Sequence, residues 1–191
     1  MRTQLLAATA LAALAMSLPA SAAPAPQITD PAGDSRDTSA TTDIVSALFG
    51  TQGTTTKVGR KTVYTPTKLV VTVTYSGAPS ADPQATHAVT FTEPGCGAIY
   101  IQVYSGGTWG FADCLGDADF GVSYKIAGNT VTYTLPFNTI GKQYFKPGTS
   151  LTDLAAYTSL SDPVFGFDVR DISGLDEGAL DYATSAATFR I

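Results

Sequence analysis

The sequence has few of the side chains that redox, zinc or nucleophilic chemistry requires. Its one histidine is His87, and its two methionines, Met1 and Met16, both lie near the N-terminus. Haem domains with paired His/Met ligation need two axial ligands, and no C-x-x-C-H attachment pattern exists, so we expect no haem. The shortage of histidine also argues against a zinc site. No G-x-S-x-G pattern marks a nucleophile, so we expect a protein that is not an enzyme.

Helical patterning is also missing. No stretch of ten or more residues carries an apolar stripe at helical spacing, and the nearest candidate, residues 176–187, is interrupted by Gly178. Apolar residues instead alternate with polar ones, as in the strand pattern of Leu69, Val71 and Val73. The predicted strands are 44–49, 69–76, 89–92, 99–104, 109–112, 120–126, 131–135, 151–158, 164–169 and 188–191.

About ten short strands, separated by turn signals at intervals of roughly a dozen residues, are typical of an all-β fold. We therefore predict an antiparallel β-sandwich that is jelly-roll-like. Gly106-Gly107 and Gly128-Asn129 are predicted two-residue hairpin loops, because both pairs tolerate positive φ. Residues 51–67 are rich in Thr, Gly and Lys, and are predicted to form a mobile loop or an irregular hairpin.

Charge is sparse and mostly negative. Charged residues make up 14% of the chain, and the formal net charge is −5. A protein with this balance is a poor partner for nucleic acid or for an anionic membrane surface. We therefore expect neither as a partner.

The N-terminus has the pattern of a secretory signal. Arg2 precedes an apolar run over residues 5–18. The small residues at positions 20–22 that follow are the expected cleavage site. A bilayer-spanning helix needs roughly 20 apolar residues, so no membrane span is expected. We predict a signal peptide over residues 1–22, a single β-sandwich domain over residues 23–191, and a secreted, extracellular location.

Two cysteines, Cys96 and Cys114, are expected to form one disulfide in an exported chain. A regular hairpin through Gly106-Gly107 would place Ile99, and not Cys96, opposite Cys114. A bend at the glycines that flank Cys96, or a β-bulge, would reconcile the hairpin with the bridge.

Aspartate dominates the acidic residues, and the segment from Asp30 to Asp34 reads Asp-Pro-Ala-Gly-Asp, with Asp43 following after a polar loop. Calcium takes six to eight oxygen ligands, which carboxylates and backbone carbonyls of a glycine-containing loop can supply. The spacing does not match the EF-hand pattern. Alternatively, Asp30 and Asp34 shape a turn and Asp43 caps a strand, without a metal ion.

This Asp30–Asp34 box, the short loop and the strand start at Asp43-Ile44 resemble the N-terminal edge of family 9 carbohydrate-binding modules and DOMON domains. The similarity continues in the strand over residues 131–135, which ends at Pro136-Phe137, and in Asp181-Tyr182-Ala183 before the last strand. The resemblance implies a sandwich with a structural calcium ion held by Asp30, Asp34, Asp43 and Asp181. It also implies a non-catalytic binding module for carbohydrate, such as a cell-wall glycan or another cell-surface component.

Carbohydrate binding by a sandwich uses exposed aromatic rings, for which Trp109, Tyr100 and Tyr104 are the candidates. Aromatic residues on strands also pack as cross-strand pairs, so the same residues have a purely structural interpretation. Three functions follow from the sequence: the binding module, a secreted structural or interaction protein without a small ligand, and an unrecognised hydrolase.

Overall fold

The structure is a computed structural model, and it describes residues 24–36, 39–79, 85–104, 107–117, 120–159 and 181–191. The predicted signal peptide and the predicted strand over residues 164–169 lie outside these ranges. Within them, no helix has the length and apolar character that crossing a bilayer requires.

The described chain is almost entirely β-structure, arranged in two antiparallel sheets. Its elements are β1 (Ile28–Thr29), β2 (Ile44–Val58), β3 (Lys61–Tyr75), β4 (Thr86–Glu93), β5 (Gly97–Tyr104), β6 (Gly107–Ala112), β7 (Gly116–Asp117), β8 (Ser123–Ala127), β9 (Thr130–Pro136), α1 (Phe137–Ile140), β10 (Ser150–Ser159), β11 (Asp181–Ser185) and β12 (Phe189–Arg190). Sheet A has the order β1-β2-β3-β9-β8. Sheet B has the order β11-β10-β4-β5-β6-β7, with β12 also pairing with β10. The predicted all-β sandwich is confirmed.

The hydrophobic core lies between the two sheets, and the period-two alternation of the sequence fills it. Val71 and Val73 of β3 are at most 1% exposed, as are Ile99 and Ile101 of β5, and these side chains belong to one buried cluster. Successive side chains on a strand point to opposite faces, so one face of each strand reaches this cluster while the other faces away. Burial of the apolar face is the main force that holds sheet A against sheet B.

The pairing of β5 with β6 differs in register from the one that the sequence suggested. Tyr104 pairs with Gly107 and Ile99 pairs with Ala112, so Gly107 belongs to β6, and the predicted Gly106-Gly107 loop is wrong. This register moves every cross-strand partner by two residues. The strand ends that carry Cys96 and Cys114 now meet, and the two residues form the predicted disulfide with a Cα–Cα distance of 4.8 Å.

Residues 51–68 form a two-stranded extension of β2 and β3, which we call the arm. Sheet A ends at Lys68, which pairs with Pro136 at the end of β9, whereas β2 and β3 continue to pair with each other as far as Val58 and Lys61. The register shifts once, between Gln52 and Gly53. Of the two sequence interpretations of this region, the hairpin is the one observed.

Candidate functional site

The predicted acidic residues meet at one end of the sandwich, where an edge of sheet A lies against an edge of sheet B. Asp30 follows β1, and its backbone N–H donates to the Val45 carbonyl oxygen at 2.9 Å. Asp43 immediately precedes β2, and Asp181 is the first residue of β11 in the other sheet. The Asp181 carboxylate accepts the backbone N–H of Ile44, which joins the two sheets across 137 positions of sequence.

Three of these side chains form what we call the three-acid group: Asp30, Asp34 and Asp181. One carboxylate oxygen of each lies within 4.8 Å of those of the other two. Calcium–oxygen bonds are about 2.3–2.6 Å long, so two oxygens on opposite sides of one ion are about 5 Å apart. The three-acid group therefore has the dimensions of a cation site.

The Asp30 side chain has one oxygen, Oδ2, that is buried and has no hydrogen-bond partner within the described part of the chain. A buried acceptor without a partner costs about 1–3 kcal/mol, and more when it is charged. A cation bound beside Asp30 would remove that cost.

Burial and the neighbouring acids raise the pKa of Asp30 to about 6. Loss of water contributes most, followed by repulsion from Asp181, Asp34 and Asp43. Burial also raises the pKa of Asp181, with the hydrogen bond from the Ile44 N–H opposing it. The charged forms of both carboxylates are therefore disfavoured as long as nothing positive lies between them.

Asp43 has a different environment from the other three predicted ligands. Its Oδ1 and Oδ2 both accept the Gly33 backbone N–H, at 3.0 and 2.8 Å. The Ser76 hydroxyl also donates to Oδ2 of Asp43. Asp43 thus holds the Asp30–Asp34 segment against the end of β3, while the other three carboxylates converge beside it.

The sequence did not identify Ser76 or Thr158 as part of this region. Ser76 follows β3 directly, and its backbone N–H donates to the Asp43 carbonyl oxygen at 2.9 Å. The Thr158 hydroxyl of β10 donates to the Thr42 carbonyl oxygen at 2.8 Å. Both are single hydroxyl residues in ordinary strand patterns, so no sequence signal distinguishes them.

The predicted sugar-binding aromatics lie on the outer face of sheet B. Tyr100 is 5% exposed, and its ring packs edge-on against Trp109, with centroids 5.4 Å apart and an interplanar angle of 65°. Its second ring neighbour is Tyr157, at 5.5 Å. Tyr104 is half-buried at the end of β5. Tyr100 and Trp109 therefore come together as a packed pair and not as a coplanar platform.

Gln102 extends this aromatic cluster with a polar group. The Tyr100 hydroxyl donates to Gln102 Oε1 at 2.8 Å, while the buried Nε2 of Gln102 has no hydrogen-bond partner among the described residues.

No family model, no curated protein and no solved structure matches this chain. The resemblance of the Asp30–Asp34 box to family 9 carbohydrate-binding modules and DOMON domains therefore stays a prediction.

Proposed function

We propose that the protein is an exported, non-catalytic binding module in which Asp30, Asp34 and Asp181 hold a structural calcium ion, and that its ligand is a carbohydrate. The observation that carries the calcium site is the convergence of three carboxylates from two sheets around a buried, unpartnered oxygen of Asp30. The sequence resemblance supports the carbohydrate class.

Calcium fits this set of residues better than other common cations. The three-acid group offers only hard oxygen donors, which suit calcium and magnesium, whereas structural zinc sites use sulfur and nitrogen. Magnesium requires near-ideal octahedral geometry, while calcium accepts irregular sites. A calcium ion would offset the repulsion among the carboxylates and tie β1 of sheet A to β11 of sheet B.

A second candidate function is an interaction protein without a small ligand. The edge-on packing of Tyr100 against Trp109 favours it, because a buried ring offers little surface on which a sugar can stack. The two functions differ in whether a soluble glycan binds, and not in whether calcium does.

Thermal unfolding with calcium and with EDTA tests the calcium site. At a hundredfold excess over the dissociation constant, a bound ligand stabilises the fold by about 2.7 kcal/mol, which raises the Tm by roughly 5–10 °C in a protein of this size. The Asp34→Asn variant should lose this rise, because the change removes one charged ligand of the proposed site. Asp34 is exposed, so its replacement leaves the core undisturbed.

Asp153→Asn is the matched control, since Asp153 is an exposed aspartate of β10 with φ of 50°, a conformation that asparagine tolerates. It should keep the full calcium effect. An identical Tm in calcium and EDTA, or a rise that survives in Asp34→Asn, would refute the site.

A further inference from the structure

The arm carries a concentration of positive charge that the rest of the protein lacks. Lys57, Arg60, Lys61 and Lys68 all lie on it, and no acidic residue occurs from position 44 to position 81. The whole chain has a net charge of −5, so the arm is a basic surface on an acidic protein. Opposite charge on a partner would favour docking here.

A pocket of about 410 Å³ lies where the base of the arm meets α1 and the loop that follows it. Its lining includes Thr65 and Thr67 from the arm, and Lys142 and Lys146 from the loop. Both charged residues of the lining are lysines, and both are exposed. The pocket therefore carries the same sign of charge as the arm.

The floor of this pocket is apolar. Phe137 and Phe145 stack with centroids 4.7 Å apart and ring planes 6° from parallel, and each is 3% exposed. Pro66 and Pro147 contribute the remaining apolar wall. Small-molecule sites of about 300–1,000 Å³ are typically apolar with a few polar groups at fixed positions, which is the composition found here.

The register shift of the arm lies at the pocket. Gln52 pairs with Lys68, and Gly53 pairs with Pro66, so Thr67 is the extra residue of a β-bulge. The Thr67 hydroxyl donates to the Gln52 carbonyl oxygen at 3.3 Å. Bulges redirect the side chains beside them, and both Pro66 and Thr67 at this bulge line the pocket.

We propose that this pocket and the adjoining face of the arm bind an anionic glycan, with an acidic group of the sugar placed at Lys142 and Lys146. The apolar wall formed by Pro66 and Pro147 suits the carbon-bonded hydrogens of a sugar ring, while the exposed Thr65 and Thr67 suit its hydroxyl groups. The ligand class rests on the proposed function, whereas the location and the charge preference do not depend on calcium.

A nucleic acid is a poorer fit to the same surface. Proteins that bind single strands stack the bases on exposed aromatic faces, and the Phe137 and Phe145 rings are too buried for this. A bound nucleic acid would also bring its dense row of phosphates close to the acidic remainder of the protein. Repulsion between these like charges disfavours the complex.

Calorimetric titration with oligogalacturonate tests the proposal, with the uncharged galactose oligomer of equal length as the matched probe. We expect binding of the uronate, no binding of the neutral oligomer, and an affinity that falls with added salt because the contacts are ionic. A heparin fragment serves as the sulfated probe. Tighter binding of heparin would show that sulfate groups strengthen the interaction, whereas tighter binding of the uronate would show that carboxylates suffice, and both results support the anionic class.

The double variant Lys142→Glu/Lys146→Glu should lower the affinity at least tenfold. Lys125→Glu is its control, because Lys125 is an exposed lysine of β8 outside the pocket lining. Equal binding of the neutral oligomer, an equal loss in the control, the absence of any binding, or tighter binding of a single-stranded oligonucleotide would each overturn the proposal. So would a salt-sensitive dimer whose formation competes with the glycan.

The same titration in calcium and in EDTA separates this proposal from the calcium site. Equal affinities in both conditions support binding by the lysines, whatever the calcium test shows. An affinity that EDTA abolishes would mean that the metal, and not Lys142 and Lys146, holds the acidic group, and would overturn the assignment.

Discussion

The Asp43 carboxylate accepts the backbone N–H of Gly33 with both oxygens, at 3.0 and 2.8 Å. This contact fixes Gly33 against the residue that immediately precedes β2. Gly33 has φ of 91°, a conformation that favours glycine, so the loop is shaped by glycine and by a hydrogen bond. Of the four predicted calcium ligands, Asp43 is therefore the one whose carboxylate holds Gly33 in place.

Asp43→Asn should destabilise the protein equally in calcium and in EDTA. The amide keeps one acceptor oxygen and places a donor group near the Gly33 N–H and the Ser76 hydroxyl, so a part-buried hydrogen bond to a charged acceptor is lost. We expect a loss of about 1–3 kcal/mol in the free energy of unfolding, measured by urea denaturation. A variant that loses only the calcium-dependent part would instead identify Asp43 as a ligand.

Asp30→Asn should have opposite effects in the two conditions. In EDTA the change removes a charge that is repelled by Asp181 and Asp34, so the Tm should rise. In calcium the variant loses a ligand, so its Tm should fall below that of the unmodified protein. Differential scanning calorimetry in both buffers measures the two shifts, and a loss of stability in EDTA would contradict the repulsion.

The calcium effect should depend on pH around the raised pKa of Asp30. That pKa is about 6 in the folded protein and 3.8 in the unfolded reference, so the folded state binds the proton more tightly. The resulting stability is fully present below pH 3.8 and is lost as the pH rises through 6, which predicts a falling Tm in EDTA over that window.

Calcium should reverse this trend, because its ligands must be deprotonated. Protons compete with the ion at Asp30, beside Asp34, Asp43 and Asp181. The Tm difference between calcium and EDTA should therefore be larger at pH 7 than at pH 5, as a thermal-shift titration would record. A difference that does not change with pH would contradict the involvement of Asp30.

Removing the disulfide should lower stability without changing the fold. Cys96 and Cys114 close a loop with a sequence separation of 18, and a crosslink over a loop of this length stabilises by about 3 kcal/mol. The Cys96→Ser/Cys114→Ser double variant should show this loss in urea denaturation while its far-ultraviolet circular dichroism stays that of a β-protein. Retention of full stability would mean that the crosslink adds nothing to the packing at this end of β5.

Gly53→Ala should disturb the arm and leave the sandwich intact. A Cβ at this position would overlap the Thr65 carbonyl oxygen and lie 2.7 Å from Pro66 Cα, both of which are backbone atoms. We expect faster hydrogen exchange in the arm and weaker binding of oligogalacturonate, with little change in Tm because the arm is exposed.

Gly50→Ala is the control for the arm, since its Cβ would have as its nearest neighbour the Val70 carbonyl oxygen at 3.9 Å, an ordinary contact. Hydrogen exchange of the arm that is the same in Gly53→Ala and Gly50→Ala would show that the bulge does not require glycine.

Strand positions were predictable where a buried face and an exposed face alternate, as in residues 69–75 and 131–135, because burial imposes the period directly. The same logic failed for the arm. Both faces of residues 52–58 are exposed, so no hydrophobic pattern marks them, and their extended form comes only from pairing with β3. The predicted Gly106-Gly107 loop was misplaced because a glycine pair shows that the chain can turn nearby but does not fix the cross-strand register, which the pairing of Tyr104 with Gly107 decides.

The sequence by itself determined the class of fold, the pairing of its two cysteines and the identity of the acidic residues worth examining. These depend on composition and local periodicity, which act between residues close in the chain. Tertiary structure alone decided that Asp43 accepts the Gly33 N–H, that Asp181 accepts the Ile44 N–H, and that a basic pocket forms between the arm and α1. Each of these depends on which sheet edges meet, and that is settled by packing the whole core, not by any local pattern.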